Sequence, residues 1–184
     1  MLKIIKIGGG IIDNEQDLEQ FLQTFSEIKE PKILVHGGGK GASKMLNQLG
    51  IEPKMIEGRR ITDKPTLDVV TGLYAGNLNK SIVSKLQEFG CNALGLSGAD
   101  GNAIKGSKRP VKTIDYGFVG DLNDKSVNKE LFQLLIDNNI TPVVCAITHD
   151  GNGQLLNTNA DTIASTIAVA MSQENEVELS LIHI

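Results

Sequence analysis

Two stretches of this chain run an apolar segment into three consecutive glycines. Leu2-Lys3-Ile4-Ile5-Lys6-Ile7 leads into Gly8-Gly9-Gly10, and Lys32-Ile33-Leu34-Val35-His36 leads into Gly37-Gly38-Gly39. Glycine has no Cβ, so the backbone N–H groups of such turns lie open to close approach by an anion. Lys6, just before the first turn, adds a mobile point charge suited to phosphate. Taken singly, Lys6 could snorkel to solvent, and the glycines could be plain strand-to-helix turns. Two such turns in one sheet predict a site that grips two anionic groups, one of them a phosphate about to move.

Other motifs narrow the chemistry. Gly37-Gly38-Gly39-Lys40-Gly41-Ala42 formally fits the dinucleotide pattern G-x-G-x-x-A. However, the acidic residues downstream, Glu57 and Asp63, fall around a hairpin and not at a strand end. Gly39-Lys40 is followed by Gly41, not Ser or Thr, which excludes a P-loop enzyme. Gly58-Arg59-Arg60-Ile61-Thr62 sets two arginines on that hairpin, and alternation predicts one toward the sheet edge and one toward water. A planar guanidinium suits a carboxylate through two parallel hydrogen bonds. In Asn157-Thr158-Asn159-Ala160-Asp161, either asparagine could be a helix cap. Two asparagines and an aspartate in five residues exceed what a cap needs. An aspartate in the first turn of a helix can hold lysine ammonium groups in place.

The elements that must position these residues alternate. Strands are predicted at 2–7, 32–36, 92–97 and 141–147, with short strands such as 111–114 within hairpins over 98–127. Helices are predicted from 13 or 14 to 28, from 40 to 49, from 65 to 89, at 128–138 and at 159–171. Met45, Leu46 and Leu49 are expected to face inward. This alternation implies an α/β fold, a three-layer αβα sandwich with a mainly parallel central sheet. Ligands in such sheets lie beyond the carboxyl ends of the strands, where both glycine turns fall.

With 184 residues, 40% hydrophobic, the chain can bury a substantial core. A net charge of −4 points away from nucleic acid and acidic membranes, and no apolar run is long enough for a membrane span. Cys91 and Cys145 read as small buried hydrophobes of a cytoplasmic protein.

Together, Lys6-Ile7-Gly8-Gly9, His36-Gly37-Gly38-Gly39, Gly58-Arg59-Arg60-Ile61-Thr62 and Asn157-Thr158-Asn159-Ala160-Asp161 resemble the motifs of the amino-acid kinase family. The closest likeness is to the branch that acts on N-acylated glutamate. The likeness keeps motif order and spacing from residue 1 to about 178. It implies the amino-acid kinase fold and ATP-dependent phosphorylation of a side-chain carboxylate in arginine biosynthesis, with Mg²⁺ carried by ATP. It also implies roles. Lys6 would stabilise the transition state, and Asp161 would orient lysines. Gly8 and Gly9 would meet ATP phosphates, and Gly38 and Gly39 would hold the attacked carboxylate. Arg60 and Asn157 would bind the rest of the N-acyl-L-glutamate. A carboxylate nucleophile is already ionised at neutral pH, so no general base is required. The expected assembly is a homodimer insensitive to arginine, with no dedicated metal site. Sister readings are a glutamate 5-kinase, an aspartokinase or a carbamate kinase. Readings of another class are a non-catalytic arginine-sensing domain and a dinucleotide oxidoreductase.

Residues 179–184, Leu-Ser-Leu-Ile-His-Ile, do not resemble the family's next strand. They resemble the translation of a transposon-end adapter used in sequencing libraries, so they are expected to be a read-through tail on a C-terminally truncated chain. The family's nucleotide lobe and second phosphate lysine have no counterpart in residues 1–178. The purified 184-residue chain is therefore expected to show no ATP-dependent turnover of N-acetylglutamate in a coupled ADP-release assay.

Overall fold

A computed structural model describes residues 1–56 and 59–182. Five strands build the central sheet: β1 (Leu2–Ile7), β2 (Lys32–His36), and three that follow later in the chain. Between β1 and β2 lie a short α1 (Gly9–Ile12) and α2 (Glu15–Glu27). After β2 come α3 (Gly41–Gln48), the two-stranded β3 (Met55–Ile56) and β4 (Arg59–Arg60), and α4 (Lys64–Thr71). A π-helical segment, Gly72–Leu78, runs on into α5 (Asn79–Glu88), followed by β5 (Ala93–Leu96). Then come β6 (Ser107–Lys108), β7 (Val119–Asp121), α6 (Lys129–Asp137), β8 (Thr141–Cys145), β9 (Ile147–His149), β10 (Leu155–Thr158), α7 (Ala160–Met171) and β11 (Val177–Ile182). The central order is β11-β1-β2-β8-β5, and every pairing in it is parallel.

Strand alternation explains the layers. Leu2, Ile4, Ile33, Val35 and Val144 point to one face, where they pack with Ile163 and Ile167 of α7 and Phe132 of α6. Ile7, Leu34 and Val143 point to the other and meet Leu22 and Phe25 of α2 and Ile82 and Leu86 of α5. A sheet covered on both faces needs near-continuous apolar strands, and β2 and β8 are buried throughout. The αβα sandwich with a parallel sheet is therefore as the sequence implied. Local signals also hold. The Asn14 side chain caps α2 through the N–H groups of Gln16 and Asp17, and Asp63 caps α4, with Pro65 in its first turn. Lys32 Nζ donates to the Ser26 and Ile28 carbonyls at 3.0 and 2.7 Å, closing the end of α2. Cys91 and Cys145 are free and buried.

Some expectations fail. The helix predicted over 65–89 runs without a break from Lys64 to Glu88, but its middle, Gly72–Leu78, is π-helical. Residues 111–114 form no strand, and the apolar 141–147 run divides at Ala146 into β8 and β9. Strand β10 and helix α1 were not foreseen. Leu49 is exposed, because α3 has already ended and the chain turns at Gly50 with φ +72°. The tip of the predicted hairpin, Glu57 and Gly58, lies outside the described residues, as do His183 and Ile184 of the expected tail.

The rest of that tail, residues 179–182, belongs to β11. It lies in register with β1 from Leu2↔Val177 to Ile7↔Ile182, and Gly8 N–H donates to the Ile182 carbonyl at 2.9 Å. Each such bond contributes about 1 kcal/mol net. Deleting residues 179–184 is expected to destabilise the fold by about 2–4 kcal/mol, read as a lower urea midpoint.

Candidate active site

Lys6 is the polar interruption of an apolar strand. It shares a face of β1 with Leu2 and Ile4, which turns it toward α7. Its Nζ lies 2.9 Å from Asp161 Oδ1, and the lysine side chain is 6% exposed. Asp161 stands in the first turn of α7, where a carboxylate also favours the positive helix end. A buried ammonium needs such a partner, because burying it alone is very costly.

The two glycine turns touch each other. A Cβ on Gly9 would sit 3.1 Å from Gly39 Cα, and Gly39 itself has φ +56°. Asp13 holds this junction. Both of its carboxylate oxygens accept from Lys40 N–H, at 2.9 and 3.0 Å, and a Cβ on Gly39 would lie 2.4 Å from Asp13 Oδ1. The N–H groups of Gly9, Gly38 and Gly39 donate to no protein acceptor among the described residues. Gly8 differs: its N–H donates to the Ile182 carbonyl.

A second anchor lies behind the turns. His36 is fully buried; Nδ1 lies 2.8 Å from the Gly37 carbonyl and Nε2 lies 3.0 Å from Asn79 Nδ2. Asn79 Nδ2 also donates to the Val143 carbonyl at 3.0 Å, while Lys80 Nζ donates to Asn79 Oδ1. This network assigns a neutral ring with Nδ1–H donating to Gly37. Burial pushes the imidazole down to about 4, with the Lys80 charge acting in the same direction.

Strand β4 supplies the arginines. Alternation predicted that one would face water, yet both are half-buried and both line the cavity, because a two-stranded ribbon lying over the site shows it more than one side. Arg60 Nη2 donates to Ser43 Oγ at 2.9 Å, whereas Nη1 is buried without a hydrogen-bond partner among the described residues. The two asparagines separate cleanly. Asn159 is the cap of α7, accepting from Thr162 N–H, and Asn157 lies on β10 and donates to Thr62 Oγ1 at 3.0 Å.

Lys6, Gly8, Gly9, Gly38, Gly39, Arg60, Asn157 and Asp161 all line one cavity of about 320 Å³. All eight residues chosen from the sequence thus converge. Tyr74, which the sequence reading passed over, lines the same cavity. Asp13 and Asn79 carry no role in the sequence reading, and His36 appears there only as part of the second glycine motif. The detectable signal was a polar Asn79 on the apolar face of a helix.

Comparison with protein-family signatures matches residues 1–178 to the amino acid kinase family. The chain belongs to that family. An acetylglutamate kinase of Cytophaga hutchinsonii is 57% identical over 171 residues, covering 92% of this chain and 64% of the relative. One from Parabacteroides distasonis is 53% identical, covering 97% of this chain and 69% of the relative. The chain therefore spans about two thirds of the length of these relatives. Among solved structures, smu.665 from Streptococcus mutans superposes with a TM-score of 0.80 at 25% identity, covering 93% of this chain and 69% of that one. An N-acetylglutamate synthase from Neisseria gonorrhoeae gives 0.80 at 16% identity, covering 97% of this chain and 41% of that one. The second likeness concerns the fold alone. For this amino acid kinase family member, the α/β architecture is shared with these structures.

The His36 network has a measurable pH signature. Unfolded His36 takes up a proton near 6.5 and the folded residue only near 4, so stability is full above pH 6.5 and falls as pH drops toward 4. The total loss is about 3 kcal/mol. His36→Gln is expected to remove about 2 kcal/mol of the difference in unfolding free energy between pH 7.5 and pH 5, measured by urea denaturation.

Proposed function

We propose that this chain carries the acyl-glutamate-binding portion of an acetylglutamate kinase. In the reaction, a side-chain carboxylate oxygen of N-acetyl-L-glutamate attacks the γ-phosphorus of ATP. The bond from that phosphorus to the β–γ bridging oxygen breaks, ADP departs, and an acyl phosphate results. No proton is transferred. Such a step needs alignment and charge neutralisation more than acid–base chemistry.

The observation that carries this reading is one cavity holding both halves of the requirement. Lys6 and Gly9 suit the moving phosphoryl group, with Lys6 held by Asp161 at 2.9 Å. Gly38 and Gly39 suit the attacking carboxylate, and Arg60 with Asn157 suits the α-carboxylate and acylamide end. The partnerless Arg60 Nη1 is a donor that an anionic ligand would satisfy. Asp161 is assigned to orientation, because its carboxylate is paired with the Lys6 ammonium at 2.9 Å and the reaction requires no general base. The ligand is a small molecule, and no helix among the described residues is long and apolar enough to cross a membrane. Among them, no group of three or more His, Cys, Asp or Glu side chains could hold a metal. Mg²⁺ is assigned to the ATP phosphates, which commonly bring it. Close relatives bearing the acetylglutamate kinase name favour this substrate over free glutamate, aspartate or carbamate.

Isothermal titration with N-acetyl-L-glutamate, L-glutamate, L-aspartate and carbamate separates these substrates. Heat is expected with the N-acylated ligand alone. Arg60→Ala is expected to weaken that binding by about 2 kcal/mol, roughly 30-fold. Preferential binding of an unacylated ligand would sink the assignment.

A further inference from the structure

The π segment Gly72–Leu78 is fastened to the second glycine turn at two points. Tyr74 packs against Gly38, so closely that a Cβ added to Gly38 would fall 1.6 Å from Tyr74 Cε1. Five residues on, Asn79 meets His36, the residue that holds the Gly37 carbonyl. Residues five apart point in different directions on an α-helix of 3.6 residues per turn. Where hydrogen bonds run from i to i+5, they fall nearly above one another. The π segment therefore turns Tyr74 toward the cavity while Asn79 keeps its grip on the sheet.

Tyr74 is 6% exposed and lines the cavity beside Arg60. Burial holds its phenol above the ordinary value, although the Arg60 charge opposes the shift, so the hydroxyl remains a donor at neutral pH. The Arg60 guanidinium is hydrogen-bonded to the phenol oxygen, which leaves the hydroxyl's own proton to be donated, and Arg60 Nη1 has no hydrogen-bond partner among the described residues. The two donors lie side by side in the wall of one anion-binding cavity. We infer that Tyr74 is a substrate-contacting residue: its hydroxyl shares with Arg60 Nη1 the grip on the α-carboxylate, while its ring sets the position of Gly38. The inference rests on the acyl-glutamate reading and adds a specificity determinant to it. Two donors on two carboxylate oxygens discriminate against a neutral group at the same position.

Tyr74→Phe removes one oxygen and keeps the ring against Gly38, so the far-UV spectrum and urea midpoint of the full chain should match wild type. Titration would use N-acetyl-L-glutamate and its α-carboxamide analogue. The variant is expected to bind the acid about 10-fold more weakly and the carboxamide within twofold of wild type. Equal weakening toward both ligands would mean that Tyr74 acts on the turn alone, which overturns the contact. Unchanged binding of the acid also overturns it. A wild-type chain that binds neither ligand removes the acyl-glutamate reading and this inference with it. A wild-type chain that binds, with a variant that binds equally well, removes the inference only.

Discussion

The pairing of the buried Lys6 ammonium with the half-exposed Asp161 is the constraint from which the site's arrangement follows. Lys6 takes a position that Leu2 and Ile4 mark as core, so the ammonium must be met from the α7 side. Meeting it fixes how far α7 lies from β1 and where its first turn begins. Asn159 then caps that turn, and β10, immediately before it, delivers Asn157 to the cavity. Removing Asp161 would take from a 6% exposed ammonium its carboxylate partner at 2.9 Å, a larger loss than the pair's own net contribution.

Around this pair, the two glycine turns are positioned from behind and from the side. His36 and Asn79 hold the second turn from beneath the sheet, and Asp13 ties it to the end of α1. None of these groups needs to touch a ligand to matter. They leave bare N–H groups facing the cavity by occupying the neighbouring carbonyl and N–H groups themselves. A loop with φ +56° at Gly39 and a tyrosine ring against Gly38 has little freedom to reorganise. Donors fixed in advance cost little to reorganise at the moment charge moves.

Much of this was legible in the sequence. The apolar runs of β1, β2 and β8, the Asn14 cap and the stripe of α2 follow from local pattern. All eight site residues could be chosen, because glycine, lysine and arginine have chemical meaning even without partners. What escaped was set by tertiary contacts. The π segment reads as plain helix, since Gly72–Leu78 carries no proline and the register changes only to satisfy Gly38 and His36. β10 is too short to alternate visibly. The role of Asp13 is hidden from local pattern, because its partner, the Lys40 N–H, is far away in sequence. Arg59 and Arg60 obeyed alternation less than the cavity they overhang.

The order β11-β1-β2-β8-β5 also has a meaning in time. β1 leaves the ribosome early, but its outer neighbour is the last strand described, and Gly8 takes its acceptor from Ile182. Until that late segment appears, β1 has an unpaired flank and the first turn lacks one of its supports. Contacts of such long sequence separation form slowly and expose open strand edges while they wait. A nascent chain of this fold can thus assemble the half of the cavity around Gly37–Gly39 while the half around Gly8–Gly10 remains unfinished. Among the described residues, the last support of the first glycine turn arrives with this one strand.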